Sequence, residues 1–195
     1  MTDRVTIIQP GPLSIIGAGI RARLEQVFPP ALFVHAWMPA RVDSATWSRL
    51  TRRLPLVGLG FNGFTPAAES YATGMSAWSL YLVTANEGGD EARLFGDRHA
   101  PGLFGLIEVA SAALHGLNIQ DGGSVRVGEA THAYVESVAD ASLAIATIDL
   151  SVPTTISLGD VITGGDAEPG LARTQDVTWN FEAPGLMAGS HTGTP

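Results

Sequence analysis

The chain has no cysteine and no lysine, and each absence removes a class of chemistry. Without cysteine there is no disulfide framework, no thiolate zinc site and no cysteine nucleophile. Without lysine there is no P-loop side chain to hold a nucleotide's phosphates and no amine for Schiff-base catalysis. All 11 basic residues are arginine, the bias of a GC-rich coding sequence. Also missing is any apolar run of roughly 20 residues, the length a membrane-spanning helix needs. The opening Met1–Arg4 is polar, and the apolar stretch behind it is broken by Pro10, Gly11 and Pro12. That is unlike the basic-then-apolar pattern of a secretory signal. The expectation is a soluble chain that stays in the cytoplasm and has no membrane partner.

What is present suits one domain, because a chain of 195 residues can bury roughly 70% of its unfolded surface. The net charge of −8 is unevenly spread. Residues 1–60 hold seven arginines and three acids (+4), and residues 61–195 hold four arginines and sixteen acids (−12). This balance argues against a general nucleic-acid binder, whose footprint is a basic domain. It suits head-to-tail association of a basic patch with an acidic one, and it also serves simple solubility.

Periodicity gives a coarse order of elements. Ile16, Ile20, Leu24 and Val27 share one face of a helix from about Leu13 to Phe28, with Ser14 as N-cap and Pro29 and Pro30 as the stop. Ala31–Met38 reads as a strand. A short helix follows, capped by Asp43 or Ser44, with Trp47, Leu50 and Leu54 inward and Arg49, Arg52 and Arg53 as the densest positive cluster. Leu56–Phe61 reads as a buried strand, residues 62–73 as a loop, and Met75–Ala85 as a strand with Trp78, Leu80 and Leu82 on one face. Pro101–His115 carries a stripe of Leu103, Leu106, Ile107, Ala110, Ala113 and Leu114, with Gly116 as the left-handed stop. Two strands, Val125 to about Val135 and Ser142–Ile156, complete the set. The second is apolar on both faces and therefore central, with Pro153 near an edge or bulge. The fold class is α+β: a mostly antiparallel sheet with helices packed on one face, plus an extended C-terminal arm. The domain spans residues 1–158. The Gly/Pro-rich arm spans residues 159–195 and bears one alternating stretch, Val177–Phe181, that suits either docking on a neighbour or a final strand.

Motifs for chemistry fail one by one. Gly58–Gly63 matches G-x-G-x-x-G, but Pro66 stands where a helix should open and no acid occupies residues 76–86. The histidines (His35, His99, His115, His132, His191) include no pair at i+2 to i+4, so none forms a local metal pair. His115 instead suits a helix C-terminus as a cationic end group. Ser76 lacks the second glycine of a nucleophile elbow, because Trp78 occupies that position. Asp149, in an apolar strand, is the single acid to follow, and a strand-edge role explains it more simply than a general acid. No catalytic residue, cofactor or metal ligand is assigned.

The stretches Trp78–Ala85, Asp90–Asp97, Pro101–Glu108 and Ala113–Gly116 together resemble the tail-terminator proteins of Mu-like phages and prophages. In that family a strand leads through an R-x-x-G loop, here Arg93 to Gly96, into a long helix closed by an L-x-G turn, here Leu114 to Gly116. The similarity covers about residues 13–156. Met38–Arg53 and the arm after Gly159 resemble the family less, which bears on any detailed transfer of contacts. The resemblance implies a structural, non-enzymatic virion protein, assembled in the host cytoplasm and placed at the neck of the particle. Six copies would form a ring that caps the tail tube and joins it to the head–tail connector. Genome DNA would pass through an acidic lumen without specific binding. Arg49, Arg52, Arg53, Trp179 and Phe181 are the candidate interface residues. The alternatives are another virion part, such as a head-completion or minor tail protein, and a small enzyme with a dispersed carboxylate or histidine site.

Overall fold

A computed structural model describes residues 7–8, 10–39, 44–68, 70–98, 100–132 and 143–163. The elements follow in the order β1 (Ile7–Ile8), α1 (Pro12–Val27), β2 (Val34–Met38), α2 (Ser44–Leu50), β3 (Leu56–Ala67), β4 (Ser70–Ala85) and α3 (Asp90–Phe95). They continue with α4 (Leu103–Leu114), β5 (Asn118–Ile119), β6 (Gly123–Ser124), β7 (Arg126–His132), β8 (Leu143–Thr155), α5 (Leu158–Val161) and β9 (Ile162–Thr163). Five strands form the main sheet in the order β2-β3-β4-β8-β7, antiparallel throughout except for β2 against β3. The protein is therefore α+β, built on a mostly antiparallel sheet.

Alternation along the strands creates two unequal apolar faces. On one face Val57, Leu59, Leu80, Leu82, Ala146, Ile148 and Leu150 meet Ile16, Ile20 and Leu24 of α1 and Leu103, Leu106, Ala110 and Leu114 of α4. Leu80, Leu82, Ile16, Ile20, Leu103, Leu114 and Ile148 lose all contact with solvent. Each such leucine or isoleucine stabilises the fold by roughly 1.5–3 kcal/mol relative to an exposed position. Among the described residues the opposite face is covered at one end, where Trp47 of α2 packs with Met38, Leu56, Val83 and Ile145. β8 thus carries apolar side chains on both sides because it is a central strand with a helix above and below.

The start of α1 corrects the expected cap. Gly11 is the N-cap and makes no side-chain cap bond, Pro12 opens the helix, and Ser14 lies within it. Proline at the first position costs no hydrogen bond, since that N–H has no intrahelical partner anyway. The helix stops at Phe28, before the two prolines, as expected. The strand expected from Ala31 begins only at Val34, because Leu32 and Phe33 donate back to the Pro29 carbonyl in a turn.

Residues 62–73 are not the expected loop. β3 and β4 continue as a long hairpin in which Phe64 pairs with Ser76 and Pro66 with Gly74. The Gly63 and Pro66 signals misled for an identifiable reason. β2 reaches only as far as Gly60, so beyond it β3 is an edge, where proline forfeits no ladder bond. Asn62 is the extra residue of a bulge between Phe61 and Gly63. Gly58 and Gly60 of the apparent nucleotide motif lie in this strand beneath Met38. Pro153 lies past the end of the β7 ladder, whose last β8 partner is Ser151, with Gly123 of β6 against its carbonyl.

α4 is shorter at its start than expected, with Gly102 as N-cap and Pro101 bridged to Gly96. Gly116 ends it at φ +76°, a conformation that favours glycine. The short helix α3 was not foreseen. After β8, α5 and β9 carry the chain to Thr163, where β9 pairs with β1. Asp43, residues 133–142 and residues 164–195, including Trp179 and Phe181, lie outside the described residues.

Leu82→Ala should lower unfolding free energy by about 2–5 kcal/mol, because the space it leaves lies between α4 and three strands. Leu32→Ala, at a side chain 70% exposed, should change it by less than about 0.5 kcal/mol. Urea denaturation of both variants checks this core: equal midpoints would contradict it.

Candidate interaction surfaces

Polar side chains gather at three places, and each has a different character. Inside the sheet, Ser76 is the hub of a closed set. The Trp78 indole N–H donates to its hydroxyl at 3.1 Å, the Thr154 hydroxyl donates to it at 2.9 Å, and Ser76 itself donates to the Val152 carbonyl at 3.2 Å. All three residues are buried and satisfied, so the serine examined for a nucleophile elbow serves the core instead.

The second set lies on the half of the sheet that α2 leaves bare. The Asn62 amide donates to Ser79 at 2.7 Å, and the Ser79 hydroxyl donates to Asp149 at 3.4 Å. Asp149 is exposed in mid-strand, opposite Gly128 at the bulge in β7. Asn62, Gly128 and Asp149, with Ala77, Trp78, Leu150 and Ser151, line a shallow depression of about 270 Å³ beside Ser79. It can hydrogen-bond a ligand, but no imidazole or second carboxylate stands in its lining to move a proton. Among the described residues, no group of histidine and acidic side chains is arranged to hold a metal ion.

The third set lies on α1 and the β2 edge. Leu13, Ser14, Gly17, Ala18, Trp37, Phe61 and Trp78 line a groove of about 420 Å³. Gly17 makes the groove possible: a Cβ there would stand 3.0 Å from the rings of both Trp37 and Trp78. Phe61 packs against Trp78 with the rings tilted by 58° and centroids 4.9 Å apart, and Arg21 sits 5.8 Å above the Trp37 ring while its Nε bonds Glu25 at 2.8 Å. The hydrogen bond from Arg21 holds the Glu25 carboxyl below the usual carboxylate range, against a smaller opposing effect of desolvation.

Two further patches are exposed. Arg49 lies in the last turn of α2, and Arg52 and Arg53 follow just after the helix; all three are solvent-exposed. The structure therefore keeps the sequence-derived basic cluster together. It sits beside Trp47, whose buried indole nitrogen has no hydrogen-bond partner among the described residues. Elsewhere Phe95 of α3 and Phe104 of α4 form an edge-to-face pair with centroids 5.3 Å apart, with the two rings 70% and 42% exposed. Sequence reasoning missed this pair because α3 was read as a loop, although Phe104 visibly falls off the apolar stripe of its helix. His115 is the C-cap of α4, and its Nδ1 accepts from the Val127 N–H at 3.4 Å, which ties β7 to α4.

The described helices include none long and apolar enough to cross a membrane. In comparisons with known proteins, no family model matches the chain and no curated protein matches it significantly.

The Arg21–Glu25 pair gives a pH test. A carboxyl depressed in the folded state contributes stability that is fully present above its unfolded pKa and is lost as pH falls through the folded one. The melting temperature of the wild type should therefore exceed that of Glu25→Gln at neutral pH. Thermal scans should show the gap closing below the usual carboxylate range, and a gap that stays constant with pH would contradict the pairing.

Proposed function

We propose that this chain is a structural subunit of a phage or prophage tail, a tail terminator that closes into a ring on the end of the tail tube and joins it to the head–tail connector. The observation that carries this reading is the way the four family-like stretches fall on one contiguous unit. Trp78–Ala85 is the second half of β4, Asp90–Asp97 is α3 with its exit, Pro101–Glu108 opens α4, and Ala113–Gly116 closes it. Local bonds lock the unit together. Thr84 donates to the Pro101 carbonyl at 3.1 Å, Asn86 donates to the Ala92 carbonyl at 3.4 Å, and Gly96 bridges to Pro101. Arg93 and Gly96 of the R-x-x-G loop have structural work there. The guanidinium reaches Asp90 at 2.7 Å, and Gly96 turns the chain at φ +80°.

The exposed features also favour assembly over catalysis. The basic end of α2, the Trp37–Phe61 groove and the Phe95–Phe104 pair are contact surfaces in chemical kind, offering arginine and aromatic rings at the surface. The polar depression around Asp149 offers hydrogen bonds without a nucleophile–base pair. In this reading the protein needs no cofactor. Its partners are further copies of itself, the tube protein and the connector, and DNA passes through an acidic lumen unbound.

Light scattering on the purified chain should give a mass near six times 20.4 kDa, about 122 kDa, or a shift to ring-decorated ends when assembled tail tubes are added. Tubes that sediment without the protein would overturn the proposal.

A further inference from the structure

We infer that the Phe95–Phe104 patch of one copy docks on the Arg49–Arg52–Arg53 cluster of a second copy of this chain, in a head-to-tail contact. The inference starts from α4. Its sequence, Leu103–Leu114, contains a single charged residue, Glu108, and so has no polar face to turn outward. A helix that is apolar nearly all round belongs in an interior. One side of α4 does lie in the core, through Leu103, Leu106, Ala110 and Leu114. The other side leaves Phe104 and Val109 more than 40% exposed, and Phe95 extends the uncovered surface across α3. The segment that carries these rings is acidic: residues 87–108 hold Glu87, Asp90, Glu91, Asp97 and Glu108 against Arg93 and Arg98. Glu87, Glu91 and Glu108 are exposed.

A complementary surface exists on the same chain. Residues 44–55 contain Arg49, Arg52 and Arg53 and no acid, and all three arginines are exposed. Guanidinium groups match this patch twice, by pairing with carboxylates and by stacking on phenylalanine faces. The two surfaces cannot meet within one chain. α2 packs through Trp47 on the face of the sheet that holds Val83 and Ile145, whereas α4 and Leu94 of α3 pack on the face that holds Leu80 and Leu82. Adjacent residues of a strand point to opposite faces, so the patches look in opposite directions. Two different patches facing apart make a heterologous contact, which closes as a ring or continues as a fibre. The inference deepens the ring reading, and it rests on that reading only for closure.

Charge reversal tests the contact on the full chain. Arg49→Glu, Arg52→Glu and Arg53→Glu together leave a copy acidic on both surfaces. Glu87→Arg, Glu91→Arg and Glu108→Arg together leave a copy basic on both. Circular dichroism and thermal melting confirm that each variant, altered only at exposed positions, stays folded. By light scattering each variant alone should be a 20.4 kDa monomer, its self-association weakened more than about 100-fold. An equimolar mixture should regain the wild-type mass, since every contact again joins opposite charges, and raising salt from about 0.15 M to 1 M should weaken it as the screening length shortens. Variants that associate like the wild type, a mixture that stays monomeric, or a wild type that is monomeric at every concentration would each overturn the inference. Restored association without binding to tail tubes would leave the contact standing and remove the tail reading.

Discussion

Everything else in this molecule depends on the way α1 and α4 are pressed together onto one face of a three-strand centre. Leu80 and Leu82 of β4 and Ala146 and Ile148 of β8 form the floor, and Ile16, Ile20, Leu106 and Ala110 form the roof. The small side chains at Ala110 and Ala146 let helix and sheet approach closely, and close packing makes such a core sensitive to the loss of a single methylene. One polar bond reinforces the clamp: Arg23 on α1 donates to the carbonyl of Ala113 at 3.3 Å, near the end of α4, where helical carbonyls lack intrahelical partners. Because the two helices hold the centre, the strands can run past it on both sides. The β3–β4 hairpin extends beyond β2, and β8 extends beyond β7.

The second apolar cluster is smaller and has a different consequence. Trp47 anchors α2 on the far side of the sheet, against Met38, Leu56, Val83 and Ile145. That anchor carries the three arginines away from the helical face and leaves the remainder of the far side to Asn62, Ser79 and Asp149. The protein thus has a helical face with an aromatic outer surface and a sheet face with a basic corner. A protein divided in this way offers the asymmetry that the proposed head-to-tail contact needs.

Much of the fold was legible because its signals are local. The stripe of α1, the stripe of α4 and its glycine stop, and the alternation of Trp78, Leu80 and Leu82 each depend on residues within a few positions of one another. Where the reading went astray, the deciding partner was remote. Pro66 looked like a loop residue, and only the short reach of β2 makes its position a strand edge. Ser14 looked like a cap, but Pro12 can open a helix without one. Ser76 was set aside as a nucleophile from the sequence, but its bonds with Thr154 and Trp78 were not foreseen, since Thr154 lies 78 residues away. The exposed pair of Phe95 and Phe104 went unseen because its two members belong to different helices.

The sequence by itself determined the α+β class, the absence of thiol and lysine chemistry, the apolar faces of the two main helices and the clustering of Arg49, Arg52 and Arg53. These are properties of composition and of short-range periodicity, which the backbone's own geometry converts into structure. Only the tertiary structure decided which face of the sheet each helix covers and that Asp149 stands exposed beside Ser79. It likewise decided that an aromatic patch and a basic patch point in opposite directions. Those outcomes depend on strand order and register, and register is set by the sum of many weak contacts between residues far apart in the chain.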